Sequence, residues 1–379
     1  MGAMVFLVLL LLSAWCYQFL ALVSLGRFFR ASLPVPTVKT GPGITVFKPL
    51  KGLGPLSREC LSSFLTQDYH PYQVLFGVKD PDDPVVPLLR ELSRTHPRCD
   101  SAVVICPEDL GLNPKISTLR QLMPRARYDL LVIADGDVKV GPDYLAQVAA
   151  AFRQPGVGLV SCPYRAGPGR TLGSALEALT ITADFIPSVA AAHVVEGIRF
   201  ALGAAMALTR QALSAIGGLA PLADFLADDY QLGFRVAQAG LQVKILPYVV
   251  ETLNPVMSFL DYLAHQLRWA RTYRVCRPGG YLAYGITHAL VYSLAILLGS
   301  GLAPWAWGLA AATLVLRGTL AGFSARRCLK GELPLVALAL LPVKDLLAFG
   351  LWLASFLGHE VHWGGWAYRV TPEGKLVPR

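Results

Sequence analysis

The chain has 379 residues, of which 54% are hydrophobic and only 16% charged, with a formal net charge of +9 and a mean hydropathy of +0.48. Soluble domains carry about 25% charged residues, so this composition excludes an ordinary soluble protein and points to a membrane protein with a water-soluble part. In such a chain, excess Lys and Arg mark cytoplasmic loops and attraction to anionic lipid. Nucleic acid is not an expected partner, because no basic run is interleaved with aromatics and no zinc-finger spacing occurs. The seven cysteines are scattered and form no CxxC, which argues against a disulfide framework or a structural zinc site and fits a reducing compartment.

Val5 to Leu25 is almost unbroken apolar sequence, long enough to span a bilayer. No basic region precedes it, and it is too long for the core of a signal peptide. Arg27 and Arg30 follow it and place the next region on the cytoplasmic side. Ala31 to Gly43 reads as a linker containing Pro and Gly. From Ile44 the pattern alternates strand and helix. Strands are expected at Ile44–Phe47, Gln73–Val78, Ala102–Cys106 and Leu131–Ala134, and helices at Leu56–Leu65, Pro87–Thr95 and Lys115–Pro124. This order predicts a mostly parallel sheet with right-handed crossovers.

Further strands are expected at Val157–Cys162, Ala204–Thr209 and, as the last of them, Gln242–Leu246. Leu172–Ala192 reads as one or two helices broken near Pro187, and another helix is expected to open at Asp224 and run to Ala239. Three lipophilic segments follow: Tyr284–Leu302, Trp305–Phe323 and Leu333–Leu357. Arg326, Arg327 and Lys330 mark a cytoplasmic loop between the second and third. Lys344 and Asp345 interrupt the third, so it either spans or re-enters. The expected organisation is an anchor over 1–30, a cytoplasmic α/β domain with a basic juxtamembrane helix over 31–280, a transmembrane or re-entrant region over 281–358 and a tail over 359–379. The terminal Leu-Val-Pro-Arg reads as a protease-site remnant.

Polar clusters fall at the strand ends and helix starts of the α/β region. Asp135-Gly136-Asp137 follows a buried apolar run, the place where open α/β sheets bind ligands. Two carboxylates there suit a divalent cation with a phosphate-bearing ligand, although Asp-Gly is also a common turn. Asp80-Pro81-Asp82-Asp83-Pro84, Asn113-Pro114-Lys115 and Asp228-Asp229 are equally ambiguous alone: a polar turn, a surface charge and a helix start. Arg268, Arg271, Arg274 and Arg277 recur every three residues, giving a basic helix face suited to lipid headgroups. His359 and His362 read as an interfacial polar pair, and His193 as a packed histidine or one near an acceptor entrance.

Taken in order, these clusters resemble the signature of family 2-type glycosyltransferases of the GT-A fold: Asp, then Asp-x-Asp, then Glu-Asp or Asp-Asp, then Gln/Arg-x-x-Arg-Trp. More closely, the chain resembles the ceramide glucosyltransferase family, including its bacterial hopanoid-associated relatives. Phe47-Lys48-Pro49-Leu50-Lys51-Gly52, Gly77 to Pro84, Asn113 to Ile116, Asp135-Gly136-Asp137, Leu226 to Gly233 and Arg268-Trp269 carry the likeness. One departure is His265, which stands at the first place of the Gln/Arg-x-x-Arg-Trp motif.

The resemblance implies an α/β GT-A catalytic domain, a divalent metal (Mn2+ or Mg2+) and a UDP-sugar donor. Asp135 and Asp137 would hold the metal, and Asp135 with Pro49, Lys51, Asp80, Asp82, Asn113 and Lys115 the donor. Asp229 would be the general base with Asp228 its neighbour, and Arg268 and Trp269 would close over the diphosphate and sugar. His193 and His265 are acceptor-side candidates. The expected enzyme is integral to a membrane, a bacterial inner membrane by the bacterial relatives, with its catalytic domain on the cytoplasmic face. It would move one sugar to a lipid hydroxyl with inversion. Glucose to ceramide leads, N-acetylglucosamine to a hopanoid is the alternative, and a processive polysaccharide synthase is a further one. A decayed, non-catalytic scaffold is disfavoured by the complete set of carboxylates.

Overall fold

The computed structural model describes residues 2–30, 39–167, 169–254, 256–331, 335–363 and 365–379. The chain divides into two compact units, each assembled from several stretches: 32–167, 198–255 and 374–379 in one, and 1–31, 168–197 and 256–373 in the other. The expected 31–280 stretch is thus interrupted, because residues 168–197 pack with the apolar helices.

After helix α1 (Gly2–Arg30), the α/β unit runs β1 (Thr40–Leu50), α2 (Ser57–Leu65), β2 (His70–Val78), α3 (Val86–Thr95), β3 (Asp100–Ile105), α4 (Pro114–Leu122) and β4 (Leu130–Ala134). It continues with β5 (Val138–Lys139), α5 (Tyr144–Ala151), β6 (Val157–Ser161) and β7 (Tyr164–Ala166). Helices α6 (Leu172–Thr180) and α7 (Ile186–Glu196) belong to the other unit. The α/β unit resumes with β8 (Ala205–Thr209), α8 (Arg210–Ala215), α9 (Asp228–Gln238), β9 (Gln242–Ile245) and β10 (Val250–Thr252).

Seven strands form one sheet in the order β3-β2-β1-β4-β8-β6-β9. Strands β1, β2, β3 and β4 are mutually parallel, with Phe47 opposite both Leu75 and Ile133. Strands β4 and β6 are buried at every position, as a sheet covered on both faces requires. Strand β8 is antiparallel to β4, so its first residue, Ala205, lies beside Ala134 at the end of β4. That reversal brings Gly203 and Ala204 to the Asp135 turn, where the Asp135 N–H donates to the Ala204 carbonyl at 3.1 Å.

Several elements differ from expectation. Strand β1 begins at Thr40, inside the supposed linker, whose residues 31–38 lie outside the described ones. Helix α5 (YLAQVAAA) is buried on nearly every side, so its sequence has no amphipathic period to reveal it. The helix expected from Asp224 starts at Asp228. The Asp224 carboxylate instead accepts from the Leu112 N–H at 3.0 Å, and its carbonyl accepts from the Leu376 N–H at 2.7 Å. Strands β5, β7 and β10 form a small sheet that no sequence pattern announces.

Among the described residues, the second unit holds three helices long and apolar enough to cross a membrane: Gly2–Arg30, Leu172–Glu196 and Pro304–Cys328. The middle one is not among the spans expected from the sequence. It joins α6 to α7 through a π turn over Ile181–Phe185, ahead of the break expected at Pro187. Helix α10 (Phe259–Cys276) follows, then α11 (Pro278–Tyr284) and α12 (Ala289–Gly299). The expected span from Tyr284 is broken here, because Pro278–Thr287 and Ala289–Gly299 meet at 49°. Helix α13 (Pro304–Phe323) continues through a second π turn, Ser324–Cys328, so Arg326 and Arg327 lie on a helix rather than in a loop. Helices α14 (Leu335–Ala339) and α15 (Leu341–Ser355) replace the third segment, whose residues 333 and 334 lie outside the described ones. Helices α1, α12 and α13 pack through Leu11, Ala14, Ile296, Leu297 and Ala306.

The tail is structured. Strands β11 (Glu360–Trp363) and β12 (Trp366–Val370) form a hairpin, so His362 is on a strand. Strand β13 (Leu376–Pro378) lies in the α/β unit with Leu376 buried. The basic face of α10 is also largely engaged. Arg271 donates to the Glu360 carbonyl, Arg274 to the Gly358 carbonyl at 2.8 Å, and Arg277 pairs with Glu196.

Candidate active site

The carboxyl ends of β1 and β4 and the N-termini of α4 and α9 bring five of the expected residues together: Asn113, Lys115, Asp135, Asp228 and Asp229. Asn113 caps α4: its Oδ1 accepts from the Ile116 N–H at 3.0 Å, and its Nδ2 donates to the Phe225 carbonyl at 2.9 Å. This fully buried asparagine therefore ties the start of α4 to the loop that leads into α9. Two residues on, Lys115 points its ammonium between carboxylates, 2.7 Å from Asp135 Oδ1 and 3.6 Å from Asp228 Oδ2. It also donates to the Gly203 carbonyl at 3.5 Å.

Burial alone pushes the Lys115 pKa down, but the charges of Asp135, Asp228 and Asp229 more than reverse this and the net shift is upward. Lys115 is therefore a fixed cation. Asp229 is the second residue of α9, its Oδ1 accepting from the Tyr230 N–H at 2.7 Å. Burial and then the adjacent Asp228 charge push its pKa from 3.8 up to about 6, against the pull of Lys115. A carboxylate poised there suits a proton acceptor working near neutrality. A Cβ on Gly203 would lie 2.7 Å from Asp229 Oδ2, so only glycine leaves this carboxylate its place.

Lys48 stands in the sequence only as part of a longer motif, yet it is fully buried and shapes the Asp135 turn. Its ammonium donates to the Asp135 carbonyl and lies 4.2 Å above the Phe64 ring. Burial lowers its pKa to about 8, with Cys60, Asp137 and Asp135 opposing the shift. No spacing rule singles out a lysine inside an apolar strand, so the sequence by itself gives it no role.

Asp137 is exposed at its surface. The protein packed around it and then the Asp135 charge raise its pKa. The exposure carries more weight for ligand binding, since it is what a cation would meet. Among the described residues no three His, Cys, Asp or Glu side chains cluster as a metal site. Asp135 and Asp137 offer hard oxygen ligands without a complete cage. That donor set fits a divalent cation whose other positions come from phosphate and water.

Asp80 and Asp82 are exposed in the turn after β2, where Asp80 Oδ1 accepts from the Asp82 N–H at 2.9 Å. Asp83, part of this acidic cluster in the sequence but given no role there, accepts at its Oδ2 from the Gly52 N–H at 2.8 Å and joins this turn to the end of β1. Pro49 lies opposite Gly77 in the register, and Lys51 is exposed.

The remaining candidates belong to the helical unit. His265 and Trp269 on α10 pack with ring centroids 4.8 Å apart and planes tilted by 56°, and Trp269 meets Phe185 at 5.5 Å. His265 Nδ1 lies 3.1 Å from Glu177 Oε1, misaligned for a hydrogen bond, while Gln266 donates to Glu177 Oε2 at 2.7 Å. Arg268 is one residue before Trp269 and half-buried. His193 is exposed near the end of α7, edge-on to Phe28 at 5.8 Å.

Comparison with known proteins bears on the family and the fold. The profile described as glycosyl transferase family 21 matches residues 6–376. Ceramide glucosyltransferase 3 of Caenorhabditis elegans is 22% identical over 363 residues, 89% of this chain and 74% of that protein. Ceramide glucosyltransferase 1 of the same worm is 23% identical over 258 residues, 65% of this chain. That match covers 53% of the worm protein, about half its length. A solved mannosyltransferase from Pyrobaculum calidifontis, PcManGT in complex with GDP-Man and Mn2+, aligns with TM-score 0.55 at 22% identity. It covers 92% of this chain and 98% of that one, and it shows the GT-A fold. On the match that runs through both units, the chain belongs to glycosyl transferase family 21.

Proposed function

We propose that this protein is a membrane-bound, inverting glycosyltransferase that moves one sugar, glucose from UDP-glucose in the leading case, to the hydroxyl of ceramide. The observation that carries the reading is Lys115 held between Asp135 and Asp228 beside Asp229. A fixed cation and an acidic turn serve the two ends of a displacement. The acceptor oxygen bonds to the anomeric carbon, the bond from that carbon to the diphosphate oxygen breaks, and UDP departs. Asp229 takes the acceptor's proton. Lys115 offsets the negative charge that gathers on the leaving phosphate. Asp135 and Asp137 would hold a divalent metal, which when bound supplies further stabilisation of that charge. Pro49, Lys51, Asp80, Asp82 and Asn113 complete the donor side, and Arg268 with Trp269 the sugar side. His193 and His265 are acceptor-side candidates. The names of the worm relatives support ceramide as acceptor. The apolar helices support catalysis beside a membrane, on its cytoplasmic face by the arginines that end α1.

The test uses detergent-purified full-length protein with manganese, a panel of UDP-sugars including UDP-glucose and UDP-N-acetylglucosamine, and ceramide or hopanoid lipids. UDP release and product mass are read together. Glucosylceramide is the expected product. An N-acetylglucosaminyl hopanoid would replace the substrates and keep the chemistry, a ladder of oligosaccharides would mean a polymerising synthase, and no turnover on any pair would overturn the proposal.

A further inference from the structure

Helix α6 lies along α10 through matching positions. A Cβ on Gly173 would sit 2.2 Å from the Ser258 carbonyl oxygen, so the two helices meet backbone to backbone there. Glu177 accepts from Gln266, and Thr180 Oγ1 is 3.0 Å from the Tyr262 hydroxyl. On an uninterrupted α-helix at about 100° per residue, positions 173, 177, 180 and 184 fall within roughly 60° of one another. Asp184 would then be the next residue to face α10. It does not, because the π turn at Ile181–Phe185 intervenes. A π turn inserts one extra residue into the helix. Phe185 takes the α10-facing place, with its ring 5.5 Å from Trp269. Asp184 is rotated away into a different set of partners.

Those partners form a closed cluster. Arg317 donates to Asp184 Oδ1 at 2.8 Å and to both Asp345 oxygens at 2.6 and 2.8 Å. Lys344 bonds Asp184 and lies 2.6 Å from Asp345 Oδ1. Arg317 also donates to the Ala183 carbonyl at 3.2 Å, so the guanidinium holds the backbone of the π turn as well as the side chain within it. Arg317, Lys344 and Asp345 are 6%, 0% and 8% exposed on helices apolar around them. Charges so placed are costly unless paired and commonly mark function.

We propose that Asp184 is a positioning residue for the transfer reaction: the Asp184–Arg317–Lys344–Asp345 cluster locks the π turn that presents Phe185 to Trp269. This rests on the reading that Trp269 serves that reaction. Asp184 and Asp345 touch the same two cations, but only Asp184 lies in the turn. They therefore separate positioning from stability.

Full-length D184N, D345N, F185A and W269A proteins are compared for kcat, KM and Tm. D184N and D345N should lower Tm similarly. D184N should lower kcat at least tenfold more than D345N, and F185A should reproduce that kcat loss with a smaller change in Tm. Equal kcat losses in D184N and D345N, or an F185A protein with full kcat, would overturn the positioning role. A fully active W269A would instead remove the role of Trp269 in the reaction, and the inference with it. A readout independent of turnover is the yield of a short thiol cross-link between F185C and W269C. D184N should reduce the yield and D345N should leave it high. Equal yields would reject the proposal even if no acceptor had been found.

Discussion

Two clusters of buried charge, one in each unit, are built on opposite principles. In the helical unit, two cations meet two carboxylates and every charge has two partners within the cluster. In the α/β unit, one ammonium faces Asp135, Asp228 and Asp229, and Asp135 is still 39% exposed at its side chain. The first is neutral and closed, which suits holding helices in register. The second is short of positive charge and open on one side, which suits a ligand that brings a cation. Burial of charge by itself therefore does not distinguish a lock from a site; the balance and the opening do.

The largest effect expected is on turnover. Asp229→Asn should lower kcat by roughly 10²- to 10⁴-fold, as removal of a positioned base does, with donor binding retained in a titration. It should also raise Tm by a few degrees at neutral pH. In the folded protein the Asp229 pKa is lifted from 3.8 to about 6, so the native state holds its proton more tightly than the unfolded chain. Stability is then lost as pH rises through that window and stays lower above it. Asparagine carries no such penalty. Full activity in this variant would remove Asp229 as the base.

The contrast between the clusters predicts different costs for losing a lysine. Lys344→Met strands two carboxylates in an apolar setting with Arg317 alone, and should cost roughly 3–5 kcal/mol in thermal unfolding. Lys115→Met leaves Asp228 buried but Asp135 39% exposed at its side chain, where it can take up a proton. Its Tm loss should be smaller and should shrink as pH is lowered, while activity is lost. Equal and pH-independent losses would erase the distinction.

A smaller effect concerns pH. Turnover should rise with pH through about 6 as Asp229 ionises. Asp228→Asn removes a charge that raises that pKa, so the acid limb should move to lower pH and the rate below it should gain several-fold relative to the plateau. An unmoved limb would mean that another group sets it. Least of all, Arg271→Ala removes a bond to the Glu360 carbonyl at a solvent-exposed junction. It should cost about 1 kcal/mol and leave kcat unchanged, which a measurement of both would check.

The sequence speaks clearly wherever one period or one motif is enough. The buried runs of β1, β2 and β4 announce a parallel sheet, and the 29-residue apolar α1 announces a span. The carboxylate clusters at Asp135, Asp137, Asp228 and Asp229 are visible in the chain, but each is ambiguous alone, and only their order, through the family resemblance, gives them a role. What stays hidden depends on partners far along the chain. Lys48 is an anomaly in an apolar strand until the Asp135 carbonyl is beside it. Gly203 is one glycine among many until β8 runs antiparallel and delivers it to Asp229. Lys344 and Asp345 read as a flaw in a span because their partners, Asp184 and Arg317, lie 160 and 28 residues away. Composition and hydrophobic pattern thus determined the broad architecture, and the family resemblance carried the expected chemistry. Only the tertiary structure decided which charges are balanced and closed and which are left open to a ligand, since electrostatic balance is a property of distance in space.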